Sequence, residues 1–103
     1  MLKIGLACSS GVDSQVLLHW ACSQDAQFRI LHFNHQLRVE SDAEAQFMLS
    51  ESTRFKIPIS IAAPSQSFQK GSLELWARKE RYAFFAAMIE EFQLDEIWTA
   101  HHQ

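Results

Sequence analysis

The chain has 103 residues, with 9 Lys and Arg against 12 Asp and Glu, a formal charge of −3. Hydrophobic residues make up 48% and charged residues 20%, the balance of a folded globular domain, which excludes a disordered polyelectrolyte. No apolar run approaches the roughly 20 residues that cross a bilayer, and the length allows one domain at most. The apolar run at residues 4–8 is shorter than the roughly 7–15 residues of a secretory core and reads as a strand. Cys8 and Cys22 have no CxxC spacing; with no export signal, two thiols imply a reducing compartment and packing roles, so the expected location is cytoplasmic.

In chain order, residues 2–7 form a continuous apolar run broken only by Lys3 and Gly5, and Ser9-Ser10-Gly11 breaks it off. Residues 15–22 then read as a helix that is apolar almost all round and therefore expected to be well buried. Residues 28–33 read as a second strand. Ser41 and Glu44 have capping-box spacing, opening a helix to about Phe55 with Ala43, Phe47 and Met48 on one face. Residues 57–61 form a short third strand, placed at a sheet edge by Pro58. A polar loop follows to Gly71. Ser72 then caps a long helix to about Phe92, with Leu75, Tyr82, Phe85, Ile89 and Phe92 as the expected core stripe. Residues 96–100 form a fourth strand before His101-His102-Gln103.

The β-α-β-α-β-α-β alternation predicts an α/β fold, a parallel sheet with helices on both faces. Ligands of such sheets bind at the carboxyl ends of the strands, where strand order reverses. Ser9, Ser10, Gly11, Val12, Asp13 and Ser14 follow the first strand, and His101 and His102 follow the fourth. If these two strands are neighbours, both segments face one crevice. Small residues at 9–11 let backbone N–H groups approach an anion, and the helix start adds its positive dipole end. The Walker lysine and the GxGxxG pattern are both absent. A carboxylate at Asp13 beside polyphosphate calls for Mg²⁺ between them.

Strand–Ser-Ser-Gly-Val-Asp-Ser–helix resembles the SGGxDS signature of the PP-loop ATP pyrophosphatases, with Ser10 in place of the usual first Gly. Serine tolerates such a turn where φ stays negative. Three further stretches resemble tRNA(Ile)-lysidine synthetases: His32-Phe-Asn-His-Gln-Leu-Arg38 followed by Glu40-Ser-Asp, with Gln36 in place of a Gly; Gly71-Ser-Leu-Glu-Leu-Trp-Ala-Arg-Lys-Glu-Arg-Tyr82; and Thr99-Ala-His-His102. The resemblance spans the whole chain, with the four motifs in order. It implies the amino-terminal part of a Rossmann-like PP-loop (adenine nucleotide alpha hydrolase) domain, truncated, with the rest of the catalytic domain and the tRNA-binding domains absent from residues 1–103.

What the resemblance implies chemically is a ligase that adenylates C2 of the wobble cytidine of tRNA(Ile) with ATP. The amine of free lysine then displaces AMP, giving lysidine. Residues 9–14 would hold the phosphates, Asp13 would hold Mg²⁺, and His35 and Arg78 would touch the reacting cytidine or phosphate. Arg81 lies three residues on, near the same helix face. The implied partners are ATP, tRNA(Ile) and lysine, with no membrane. Apolar surface left uncovered by missing domain mass allows self-association. The truncated chain by itself is expected to be inactive. Rival readings are another PP-loop enzyme, of the tRNA thiolase or amidotransferase type, and a non-catalytic nucleotide-binding module.

Other residues read more plainly. His32 and His35 point to opposite sides of a strand, so they do not share a metal; His32 reads as a packed, hydrogen-bonded residue. Zinc at His101-His102 lacks Cys or acidic partners. From Arg54 to Arg81 six basic residues stand against two acidic ones, net +4, leaving −7 for the rest. That skew could touch RNA phosphates. Trp20, Trp76 and Trp98 read as core aromatics, and neither cysteine resembles a persulfide-carrying thiol.

Overall fold

The computed structural model describes residues 1–8, 12–36, 40–64 and 68–99, with the backbone alone at Val12 and Asp13. The elements are β1 (Lys3–Ala7), α1 (Val12–Ala21), β2 (Gln27–Phe33), α2 (Ser41–Phe55), β3 (Ile59–Ala62), α3 (Leu73–Phe92) and β4 (Glu96–Thr99). The strands make one sheet in the order β3-β2-β1-β4. Every pairing is parallel, with Ala7 opposite Leu31 on one side and Thr99 on the other. The expected neighbours β1 and β4 therefore meet, and strand order reverses beside β1. Pro58 sits just before edge strand β3, where its missing N–H costs no ladder bond; its carbonyl accepts from Ile30 N–H at 2.8 Å.

Alternation along β1 divides the core in two. Ile4, Leu6 and Cys8 pack with Leu18 and Ala21 of α1, Met48 of α2, and Ile30 and Ile57. On the other face Leu31 packs with Phe84 and Phe85 of α3 and with Leu94, supported by Ala7, Phe33 and Ile97. Helices thus cover both faces. Gly5 explains how the second face closes. A Cβ there would stand 2.8 Å from Leu31 Cδ1 and 3.0 Å from Leu94 Cδ1, so its absence lets two leucines meet over the central strand.

Several sequence expectations are corrected. Helix α1 is not buried all round: Ser14, Leu18 and Ala21 face inward, while Val16 is 63% and Trp20 42% exposed. Trp20 rests against Trp98 with ring centroids 4.7 Å apart, so it is a surface aromatic leaning on β4. Cys22 is exposed, so it has no packing role. In α2 the inward stripe is Ser41, Ala45, Met48 and Glu51, at spacings of four and three, whereas Ala43 and Phe47 face out. The cap position of α2 falls on Glu40, with helical backbone and no side-chain cap bond, and Ser41 is already the first helical residue. The expected Ser41–Glu44 capping box is therefore shifted out of register.

Helix α3 starts as expected: Ser72 Oγ accepts from Leu75 N–H at 3.2 Å. Its core stripe is rotated, however. Phe84 and Phe85 are buried, with Met88 and Phe92 packed beside them, while Leu75, Tyr82 and Ile89 are exposed. Among the described residues no helix is long and apolar enough to cross a membrane.

Candidate active site

The first strand hands over to the motif loop at Cys8, and both sides of that loop are anchored. Cys8 N–H donates to Leu31 O at 3.1 Å, and Cys8 O lies 2.9 Å from Nδ1 of the buried His32. His32 is thus the packed, bonded residue that the sequence reading expected. With Nδ1 carrying the proton, it donates to that carbonyl and ties the last residue before the loop to β2. The Cys8 thiol shares a hydrogen bond with Ser14, whose side chain is itself buried. Burial pushes the thiol up to about 12 from 9.0, against the opposing pull of the Ser14 bond. The thiol is therefore a neutral packing group that holds α1 to the strand.

Ser9, Ser10 and Gly11, between Cys8 and the start of α1, lie outside the described residues. Helix α1 begins immediately after them, with Asp13 in its first turn. The amino end of a ten-residue helix, with its free N–H groups and positive dipole end, therefore stands at the carboxyl edge of β1. The crevice beside β1 and β4 is where α/β sheets take ligands. His101 and His102 also lie outside the described residues. Among the described residues no group of three or more His, Cys, Asp or Glu side chains stands ready to hold a metal.

The turn after β2 is built by Asn34, which sequence reading passed over. Its backbone N–H donates to Ala62 O at 2.7 Å. Its side chain accepts from Gln36 N–H at 3.1 Å and donates through Nδ2 to Asp42 Oδ1 at 3.0 Å. An Asx turn thus presents the partly buried His35 at the carboxyl edge. The available signal was an Asn two residues before a position where the lysidine-synthetase pattern carries Gly. That position, Gln36, has φ of 60°, the left-handed region that favours glycine. Gln36→Gly is therefore expected to raise stability by about 0.5–1 kcal/mol, read as a higher urea midpoint with an unchanged m-value.

Arg78 and Arg81 come from the opposite layer. Phe84 meets Phe33 at 6.0 Å, and Arg29 lies over the Phe92 ring at 3.7 Å, so α3 runs antiparallel to β2. Arg78, six residues before Phe84, stands roughly 9 Å further toward the carboxyl edge, level with the His35 turn. Its guanidinium lies 5.5 Å from the Tyr82 ring and that of Arg81 lies 5.6 Å from the same ring. Both arginines are exposed. Among the described residues Arg78 makes no hydrogen bond or ion pair to His35 or Ser14. The fold brings these three residues to one edge of the sheet but not into mutual contact.

Comparison with known proteins bears on the family and the fold. A family model described as the PP-loop domain matches residues 2–103. A tRNA(Ile)-lysidine synthase of Streptococcus equi subsp. zooepidemicus is 39% identical over 101 residues, covering 94% of this chain and 23% of that protein. One from Persephonella marina is 32% identical over 112 residues, covering 97% and 24%. The chain thus spans about a quarter of the length of these curated relatives. Among solved structures, the U34-tRNA thiolase NcsA from Methanococcus maripaludis, with its [4Fe-4S] cluster, superposes with a TM-score of 0.78. At 13% identity, covering 98% of this chain and 39% of that one, it shows the shared fold alone. With its motif loop at the strand-order reversal and the family pattern matched almost from end to end, the chain belongs to the PP-loop domain family.

Proposed function

We propose that residues 1–103 supply the ATP-binding part of an enzyme that ligates lysine to C2 of the wobble cytidine of tRNA(Ile), in the cytoplasm. The observation that carries this reading is that residues 9–11 fall between the fixed Cys8 and the start of α1, beside the β1–β4 crevice, in a chain whose relatives are named for that product. The O2 oxygen of the cytidine attacks the α-phosphorus of ATP and pyrophosphate leaves. The amine of free lysine then adds to C2, loses a proton and expels AMP.

In this scheme the loop amides, the hydroxyls of Ser9 and Ser10 and the start of α1 hold the departing pyrophosphate. Ser14, which belongs to the same phosphate-holding set, shares a hydrogen bond with the Cys8 thiol. A carboxylate donor such as Asp13, joined by phosphate oxygens and water, suits Mg²⁺, which supplies charge compensation for the polyphosphate when bound. His35 and Arg78 face the nucleobase or phosphate from the β2 turn and from α3. Neither cysteine of residues 1–103 stands at the motif loop as a reactive thiol: Cys8 is buried and held protonated, and Cys22 is exposed at the end of α1, which starts at the carboxyl edge and runs away from it.

The test is pyrophosphate release by the full-length protein. It is expected to require both tRNA(Ile) and lysine, with lysidine found in the product RNA. Release that ignores lysine, or sulfur incorporation into the RNA, contradicts the assignment. The chain of residues 1–103 alone is expected to form no lysidine, because it spans only about a quarter of such enzymes.

A further inference from the structure

At the end of the sheet opposite the motif loop, roughly 17 Å away along β1, lies a cavity of about 580 Å³. It runs beneath the amino ends of β1 and β2. Lys3, Arg29 and Lys56 line it, and no carboxylate does. Its apolar walls include Phe28, Phe55, Phe92 and Pro58. Three cations around one hollow run against a chain whose net charge is −3. The neighbouring carboxylate of Asp95 is committed elsewhere, accepting from the backbone N–H of Lys3 at 2.8 Å.

Arg29 is the informative residue. Its guanidinium is half-buried, with one face on the Phe92 ring and one N–H directed to Ser60 Oγ at 3.2 Å. A guanidinium has five N–H donors, and among the described residues no carboxylate pairs with this one. A half-buried cation without a counter-charge bears a desolvation cost that the ring only partly offsets. An incoming oxyanion would remove that cost. Lys3 shares the strand face of Arg29 on the adjacent strand, two register positions away, within reach of one small anionic group. Lys56, at the end of α2, also lines the hollow and is exposed.

We propose that this cavity is a second binding site, for a small molecule in which a phosphate or carboxylate group is carried on a flat apolar body. The oxyanion meets Arg29 with Lys3 and Lys56, and the flat body lies against the phenylalanine rings. The site stands apart from the motif loop and does not depend on the function proposed above.

Cys22 lines the same cavity and is exposed, whereas Cys8 is buried and protonated, so Cys22 reports occupancy. The experiment follows the reaction of Cys22 with a neutral aromatic disulfide in the full-length protein, subtracting the Cys22→Ser variant to remove other thiols. Phenyl phosphate is expected to slow the reaction at lower concentration than inorganic phosphate, and phenol to have no effect at the same level. Arg29→Gln and, independently, the exposed Lys56→Gln should each raise the half-protecting concentration of phenyl phosphate roughly tenfold. Equal protection by phenol and phenyl phosphate, or protection indifferent to Lys56→Gln, overturns the proposal. So does a Cys22 that fails to react in the native full-length protein, since the cavity is then roofed by the protein itself.

Discussion

Asp13→Asn in the full-length protein is expected to lower kcat/KM for tRNA-dependent pyrophosphate release by about 10²–10³-fold, a loss of about 3–4 kcal/mol of transition-state stabilisation. Asn keeps the size and the helix-start position of Asp but removes the negative charge, which is what a divalent cation needs from this residue. The position is suited to that role. Asp13 lies in the first turn of α1, directly after the loop, at the carboxyl edge where β1 adjoins β4. A carboxylate at a helix amino end is stabilised by the dipole, yet next to ATP it repels the phosphates unless a cation stands between them. Asn should therefore raise the magnesium concentration that gives half-maximal rate, along with slowing turnover. The melting temperature should stay within a few degrees of the parent, because losing a helix-dipole contact costs only about 0.3–1 kcal/mol. Turnover equal to that of the parent at saturating magnesium would remove Asp13 from the chemistry.

The sheet was legible in the sequence because its signals are local. Short apolar runs bounded by breakers mark the four strands, and Pro58 marks the edge. The helix faces were less so. On α3, Leu75, Tyr82 and Ile89 recur at seven-residue intervals, and Phe84, Phe85, Met88 and Phe92 make a second stripe of the same helical period. Periodicity cannot choose between two such stripes. The choice is made by Leu31, Phe33 and Leu94 on the sheet, which receive the second stripe. On α1 the same ambiguity left Val16 and Trp20 assigned to a core that ends before reaching them. The apolar surface exposed on both helices is substantial for a chain spanning about a quarter of its curated relatives.

For the site, the motif loop is read from residue type and order, since backbone that approaches an anion needs small residues, and what the structure adds is its place between β1 and α1. Asn34 was missed because its work is to bond Gln36, Asp42 and Ala62, two of which are distant in any strand-by-strand reading. The cavity under the sheet had no sequence signal at all. Lys3, Arg29 and Lys56 are scattered along the chain, and only the parallel register of β1 and β2 with the end of α2 gathers them.

The Cys8 thiol makes the stability of the chain fall with rising pH in a window that can be isolated. In the folded chain it is held at about 12 by burial, against 9.0 when exposed. Below pH 9 the thiol is protonated in both states and contributes no pH dependence. Between 9 and 12 the unfolded chain releases this proton and the folded chain keeps it. The unfolded state then binds fewer protons, so stability declines as pH rises, by about 1.4 kcal/mol per pH unit for a full proton. The prediction is a difference between two proteins, so that every pH effect other than that of this thiol cancels. Urea unfolding at pH 8, 9.5 and 10.5 should show the parent losing about 2 kcal/mol more than Cys8→Ala over that span. The variant begins less stable, because it loses buried volume and leaves Ser14 without its sulfur partner, but that deficit does not vary with pH. Parallel pH profiles for the two proteins would mean that the thiol ionises as readily in the folded chain as in the unfolded one. That would contradict the tight seal of β1, β2 and α1 around it, on which the anchoring of the motif loop depends.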